Sequence, residues 1–312
     1  MRILVMGAGG VGGYFGAQYA KAGHDVTFVA RGAHLAALRT SGLAVESAVA
    51  PLHLPRVRAT DDPTAAGPVD VVMFCTKLWD VESAGRQIAP VVEKGGVVIP
   101  FQNGVDSHAI LQRVLGPEHV AGGVAQIAAT IKAPGVIAHT GTMARLQVGA
   151  FTAALETPVR AFAEAGKAAG VNIDAVDDIE KALWQKFAML AALSGTTCLA
   201  RQPVGVVRSD PDLRAAFTAA VREATAVAQA KGIALGADFV ERQLGFLDGL
   251  PAEMRSSMLN DLAAGNRLEA PWLSGAVARM ANELKIAAPV SATIYAAMKP
   301  YVDGGAAPVR KE

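Results

Sequence analysis

The first 31 residues, MRILVMGAGGVGGYFGAQYAKAGHDVTFVAR, leave this chain little choice of fold. Arg2 to Met6 is a short apolar run that reads as a buried strand. It meets Gly7-Ala8-Gly9-Gly10-Val11-Gly12, a G-x-G-x-x-G, and a helix of small residues follows to Gly23. Val26 to Ala30 then reads as a second strand. In this order the pieces form the first βαβ unit of a Rossmann-type dinucleotide-binding fold. The bland alternative is a glycine-rich turn that packs helix on sheet. Placement directly after an N-terminal strand favours the nucleotide. Gly7 then permits the tight turn, Gly9 lets the backbone approach a pyrophosphate, and Gly12 lets the helix pack close to the strand. Ala8, Gly10 and Val11 complete the loop, and the helix N-terminus offers N–H groups and a positive dipole end.

The end of the second strand selects the nucleotide. Folds that bind NAD usually carry an acidic residue there, about 20 residues past the glycines, for the ribose 2′-hydroxyl. Here Val29-Ala30 is followed by Arg31. A guanidinium pairs with a 2′-phosphate in a fork, so NADP(H) is expected. The alternative for Arg31 is an exposed loop arginine.

At 312 residues the chain exceeds one ordinary core, so two domains are expected. The balance of 52% hydrophobic and 18% charged residues describes a globular chain. A net charge of +1 argues against nucleic acid or an anionic membrane as partner, and no apolar run reaches spanning length. The N-terminus, with six glycines between Gly7 and Gly16, suits a strand and phosphate loop better than a signal peptide. Cys75 and Cys198 lie far apart in apolar runs and read as free thiols in a reducing cytoplasm.

Further along, Leu43 to Leu54 reads as a short antiparallel insertion, and Asp61-Asp62-Pro63 as a turn and helix start. Val69 to Cys75 is a buried strand ending at Thr76-Lys77, with a helix after it to Val92. After Gly95-Gly96, the strand Val97 to Phe101 ends at Gln102-Asn103-Gly104, and a helix from there reaches Leu115. Lys77 and Asn103 therefore sit with the glycine loop at the carboxyl ends of strands, where open α/β sheets bind ligands. His119 to Gly149, which includes Ala125, reads as strands completing that sheet, turning at Ala133-Pro134-Gly135. Thr157 to Gly170 is helical, and Val171 to Ala175 is a last strand.

Past Asp177 no convincing strand remains. Asp177 or Asp178 caps a long helix to about Ser194, and further helices are read from Leu213, Pro251, Gly275 and Ser291. The expectation is an α/β dinucleotide-binding domain over 1–176 and an all-α domain over 177–312. The alanine-rich helices of the second half would suit a homodimer interface.

Within the long helix, Lys186 has Ala182, Leu183, Met189 and Leu190 as its helical neighbours, a face that is packed or lines a cleft. Burial would lower its pKa and ready it for proton transfer; the alternative is a stem lying on apolar surface with its amine in water. Glu269, taken alone, reads as a surface residue, Ser257 as a tolerated helix serine, and Asn103 as a turn residue at a helix start. None of the six histidines, His34 and His139 among them, has metal-ligand spacing, so no metal site is expected. There is no G-x-S-x-G elbow for hydrolysis.

Taken together these motifs resemble the ketopantoate reductase family over almost the whole chain. The matching pieces are GAGGVGG, Arg31, Thr76-Lys77, Gln102-Asn103-Gly104 and Gly135-Val136-Ile137-Ala138-His139. They continue with Leu183-Trp184-Gln185-Lys186, Ser256-Ser257-Met258-Leu259 and Glu269, twelve residues beyond Ser257. The resemblance implies NADPH-dependent reduction of ketopantoate, a small 2-oxo acid, to pantoate, in the pathway to pantothenate and coenzyme A. It also implies Lys186 as general acid, Ser257 on the substrate carboxylate, and Glu269 holding the substrate hydroxyl or orienting Lys186. Asn103 would position substrate and lysine. Arg31, Lys77, Asn103, Ala125 and Glu269 would join Gly7 to Gly12 around the cofactor. Two family asparagines, four and eight residues past the lysine, are Leu190 and Ser194 here, and the Asp two past the glutamate is Pro271. Leu190 and Ser194 stand where substrate is bound, and their loss of amide donors opens the alternative of a different branched 2-oxo acid. A non-catalytic NADPH-binding sensor is the alternative of another class, and the retention of both Lys186 and Glu269 argues against it.

Overall fold

The computed structural model describes residues 1–92 and 96–305. The expected turn residue Gly95 and the tail 306–312 lie outside them. The chain divides into two compact units, one of residues 1–102 with 106–182 and one of residues 103–105 with the chain from Leu183 onward.

In the first unit β1 (Arg2–Met6), α1 (Gly10–Lys21), β2 (Asp25–Val29) and α2 (Gly32–Ser41) lead into β3 (Leu43–Glu46), β4 (Leu52–Leu54) and β5 (Arg58–Thr60). Then come β6 (Val71–Phe74), α3 (Val81–Val92), β7 (Val97–Pro100), α4 (Ser107–Leu115), β8 (Gly122–Ala133), β9 (Val136–Gly149), α5 (Glu156–Ala168) and β10 (Asn172–Ala175). Five strands form a parallel sheet in the order β5-β2-β1-β6-β7. Its central strands are buried on both faces, as their unbroken apolar runs require. The edge strand β5 had no sequence signal: three residues, one of them Arg58, show no usable alternation.

The run from His119 to Gly149 does not complete this sheet. β8 and β9 pair with each other as a long antiparallel hairpin, and the other side of β9 takes β3 and β10 in parallel. A second sheet, β10-β9-β3-β4 with β8 on β9, results. β9 is thus paired along both edges within this group, and among the described residues an isolated bridge between Val98 and Val120 links the chain just before β8 to the first sheet. The expected insertion, β3 antiparallel to β4, belongs to this second sheet.

Two sheets explain why α1 is rich in glycine beyond the phosphate loop. A Cβ on Gly12 or Gly16 would come within 2.7 Å of Val5 in the first sheet. One on Gly13 would come within 2.8 Å of Ile137 in the second, and one on Gly10 would overlap the Ala129 carbonyl. The helix is buried on opposite sides and has room for hydrogen atoms only at these four positions.

α6 (Ile179–Ala200) begins in the first unit and continues in the second. It runs six residues past the expected end at Ser194: the chain stays buried through Cys198, and Thr196 and Thr197 satisfy their buried hydroxyls on helix carbonyls. The remaining helices are α7 (Val204–Ser209), α8 (Pro211–Ala230), α9 (Phe239–Gly249), α10 (Ser257–Ala264), α11 (Ser274–Glu283) and α12 (Pro289–Met298). Among the described residues every strand precedes α6, so the chain is an α/β parallel-sheet domain followed by a helical one. Pro251 opens no helix: α9 ends before it, and α10 starts at Ser257 under the cap of Ser256. Among the described residues no helix is long and apolar enough to cross a membrane.

Candidate active site

Three side chains far apart in sequence meet in the second unit. Lys186 sits one turn into that unit's share of α6, among the buried Ala182, Leu183 and Met189. Its ammonium donates to Asn103 Oδ1 at 2.9 Å, and Asn103 Nδ2 donates to Glu269 Oε2 at 2.9 Å. One carboxamide thus joins a cation to an anion, with each end of the amide facing the charge it suits. Burial pushes the Lys186 pKa down to about 8, against the pull of Glu269 in the other direction. An ammonium with that pKa is still protonated at neutral pH and gives its proton up readily.

Asn103 reaches this position by way of a turn, not a helix start. The helix expected from residue 103 begins only at Ser107. Just before the turn, the Gln102 amide donates to the carbonyls of Phe74 at 3.0 Å and Thr76 at 3.1 Å, which fixes the chain as it leaves β7. Gly104 then adopts φ +80°, and a Cβ there would stand 2.9 Å from the Trp272 carbonyl. Only glycine fits both the conformation and the approach. The loop lies directly on the 3-10 turn Ala270–Trp272 that Glu269 opens.

Glu269 is buried, with 8% of its surface exposed, so it is no surface residue. Ser257 is the exposed first residue of α10. Its neighbour Ser256 is buried, accepts from Leu259 N at 3.1 Å, and lies 2.8 Å from the Thr197 hydroxyl of α6. That contact fixes the start of α10 on the helix that carries Lys186. Leu190 is half-buried. Ser194, two turns beyond Lys186 on α6, is fully buried and its hydroxyl has no partner among the described residues. The structure thus brings Lys186, Asn103 and Glu269 together, and leaves Ser257 and Ser194 outside their hydrogen-bond chain. Sequence reasoning named Ser256 only within a matching motif, although a serine before a helix is a capping signal, and Thr197 gave no signal at all.

The first unit holds the glycine loop. Gly7 adopts φ +103° with the Cys75 carbonyl 2.9 Å from where its Cβ would be, so a side chain is excluded twice over. At Gly9 the corresponding space is empty to 4 Å. Gly9 is also the N-cap of α1, without a side-chain cap and without an acidic residue in the first turn. The helix start is therefore open to an anion, as a pyrophosphate requires. Ala8 and Gly12 are buried behind it, and Gly10 and Val11 are half-buried. Beside the loop, the Thr76 hydroxyl is buried with no partner among the described residues. These features fit a dinucleotide. Arg31, the N-cap of α2, is exposed, and its guanidinium makes no hydrogen bond or ion pair among the described residues. Lys77 is exposed with its ammonium 5.6 Å from the centre of the Trp79 ring, and Ala125 is buried on β8. Cys75 and Cys198 are free, and burial raises both thiols far above their usual range. Among the described residues no group of His, Cys, Asp and Glu could hold a metal ion.

A dinucleotide-type α/β unit followed by a helical unit with a desolvated lysine defines an oxidoreductase architecture. The chain belongs to the ketopantoate reductase PanE/ApbA family, whose N-terminal model matches residues 3–153 and whose C-terminal model matches residues 178–302. It is 33% identical to the 2-dehydropantoate 2-reductase of Archaeoglobus fulgidus over 293 residues, covering 94% of this chain and 95% of that one. It is 29% identical to the uncharacterized oxidoreductase YkpB of Bacillus subtilis over 302 residues, covering 96% and 99%. The crystal structure of a PanE/ApbA family ketopantoate reductase from Ralstonia eutropha superposes with a TM-score of 0.88 at 30% identity, covering 96% and 98%. The family is one of enzymes that oxidise or reduce at a CH–OH carbon, and it implies a nicotinamide dinucleotide as cofactor.

Proposed function

We propose that this chain reduces ketopantoate to pantoate with NADPH, and that Lys186 donates the proton. The observation that carries the reading is the chain of hydrogen bonds from Lys186 through Asn103 to Glu269. A ketone that accepts a hydride becomes an alkoxide, and a proton donor beside it is worth about 10²- to 10⁴-fold in rate. The lysine proton moves from Nζ to that oxygen as the C–O bond loses its double-bond character. Asn103 holds Nζ in place, and Glu269 keeps the ammonium charged up to a higher pH than burial alone would allow. Ser257, exposed at the start of α10, would bind the substrate carboxylate; the nearby backbone N–H groups of the helix start favour an anion there.

The dinucleotide, when bound, supplies the hydride. Gly7 to Gly12 would hold its pyrophosphate and Arg31 its 2′-phosphate, and the acid-free first turn of α2 favours the same phosphate. Lys77 and Ala125 would line its remaining length. The functional division we propose is cofactor binding on residues 1–176 and substrate chemistry on residues 177–312, with Asn103 contributed to that chemistry from the first stretch. A second reading, another branched 2-oxo acid, is favoured by the apolar Leu190 and by Ser194 on the lysine helix. The test is oxidation of NADPH and NADH by purified protein with ketopantoate and 2-oxoisovalerate. NADPH with ketopantoate should turn over fastest. Equal or faster turnover of 2-oxoisovalerate would move the assignment to the second reading, and faster turnover with NADH would remove the role of Arg31.

A further inference from the structure

His34, the third residue of α2, has no place in the chemistry above, yet both of its ring nitrogens meet backbone groups of other segments. Its Nε2 lies 2.9 Å from the carbonyl oxygen of Ala8, inside the glycine loop. Its Nδ1 lies 3.1 Å from the backbone nitrogen of Gly135, at the turn between β8 and β9. A backbone N–H can only donate and a carbonyl can only accept. The ring is therefore the neutral tautomer with the proton on Nε2, and burial lowers its pKa in keeping with that. Ala8 N in turn donates to Val29 O at 2.9 Å, at the end of β2. Gly135 adopts φ +77°, with Ala37 of α2 3.2 Å from where its Cβ would be. The imidazole thus ties the glycine loop of the first sheet to the hairpin turn of the second.

We infer that His34 is a positioning residue for the cofactor, a clamp that holds the Ala8 peptide so that the Gly9 end of the loop keeps its shape for the pyrophosphate. The inference rests on the dinucleotide reading of this unit. Without the clamp the loop has its strand bonds on one side only, and ordering it must come out of binding. Glutamine is the informative replacement: its amide carries one donor and one acceptor and does not titrate, so His34→Gln can keep both bonds. Phenylalanine keeps the ring's bulk and loses both.

The experiment is titration of the full-length protein with NADPH and, separately, NADH, following nicotinamide fluorescence, with kcat and the substrate KM measured at saturating cofactor. His34→Phe should weaken binding of both dinucleotides by about tenfold, the scale of one lost hydrogen bond. It should leave kcat and substrate KM within about twofold, while His34→Gln stays within about threefold of wild type. Unchanged affinity in His34→Phe, or His34→Gln as weak as His34→Phe, would overturn the clamp. Weakening confined to NADPH would also overturn it, by moving His34 to the 2′-phosphate. Should His34→Phe not fold, His34→Asn, too short to reach both partners, carries the same prediction. Wild-type protein that binds neither dinucleotide would instead refute the underlying reading of the unit.

Discussion

Lys186→Ala is expected to lower kcat for reduction of the 2-oxo acid by about 10³-fold at neutral pH while cofactor affinity stays near wild type. The size follows from the loss of the proton donor at the oxygen that gains charge. Charge alone is not the whole contribution, and Lys186→Arg separates the two. A guanidinium keeps the positive charge beside Asn103 and Glu269 and does not release a proton near pH 8. Lys186→Arg should therefore be nearly as slow as Lys186→Ala. Recovery of most of the activity by arginine would mean that the lysine serves as a fixed charge. Stability should move little. The folded pKa lies below that of an unfolded lysine, so below about pH 8 the buried ammonium disfavours the folded state, and its removal offsets the loss of its bond to Asn103. A melting temperature within a few degrees of wild type is the expected control.

Asn103→Ala should lower kcat/KM by about 10²-fold, with kcat falling more than KM rises. It removes two charge-assisted hydrogen bonds at once, each contributing about 1.5–3 kcal/mol. It also leaves a buried carboxylate and a desolvated ammonium without the group that spaces them. Asn103→Asp gives a different signature. The aspartate cannot donate to Glu269 and brings a second carboxylate to Lys186, so the lysine pKa should rise as the rate falls. A rate loss in Asn103→Asp with the lysine titration unmoved would show that the amide acts on substrate alone.

The first βαβ unit was legible because everything that specifies it is local: an apolar run, a glycine loop at its end, and a helix of small residues. Lys186 was legible for the same reason, its apolar neighbours lying within one turn. The second sheet was not. Its ladders join β3 to β9 and β9 to β10, and no periodicity within one strand states which of two sheets it enters. The burial of Glu269 was hidden likewise, since its partner Asn103 is 166 residues away. α9 escaped notice because Gly245 and Gly249 weaken its pattern, and Pro251 drew the next helix start ahead of its place at Ser257. Family resemblance did join Asn103, Lys186 and Glu269 in advance, but only through remote spacing. The hydrogen bonds that make them a unit belong to the folded chain.

The central claim, that Lys186 is the proton donor with a pKa set by burial and by Glu269, is tested most directly by the pH dependence of kcat/KM for reduction, from about pH 6 to about pH 10. The protonated form is required, so the rate should be level at low pH and fall tenfold per unit above about pH 8. Glu269 raises the lysine pKa, so Glu269→Gln should move the falling limb to lower pH. In the direction of alcohol oxidation the neutral amine is the base, and the rate should rise over the same range. A reductive profile that stays level through pH 10, or a limb that Glu269→Gln does not move, would contradict the assignment.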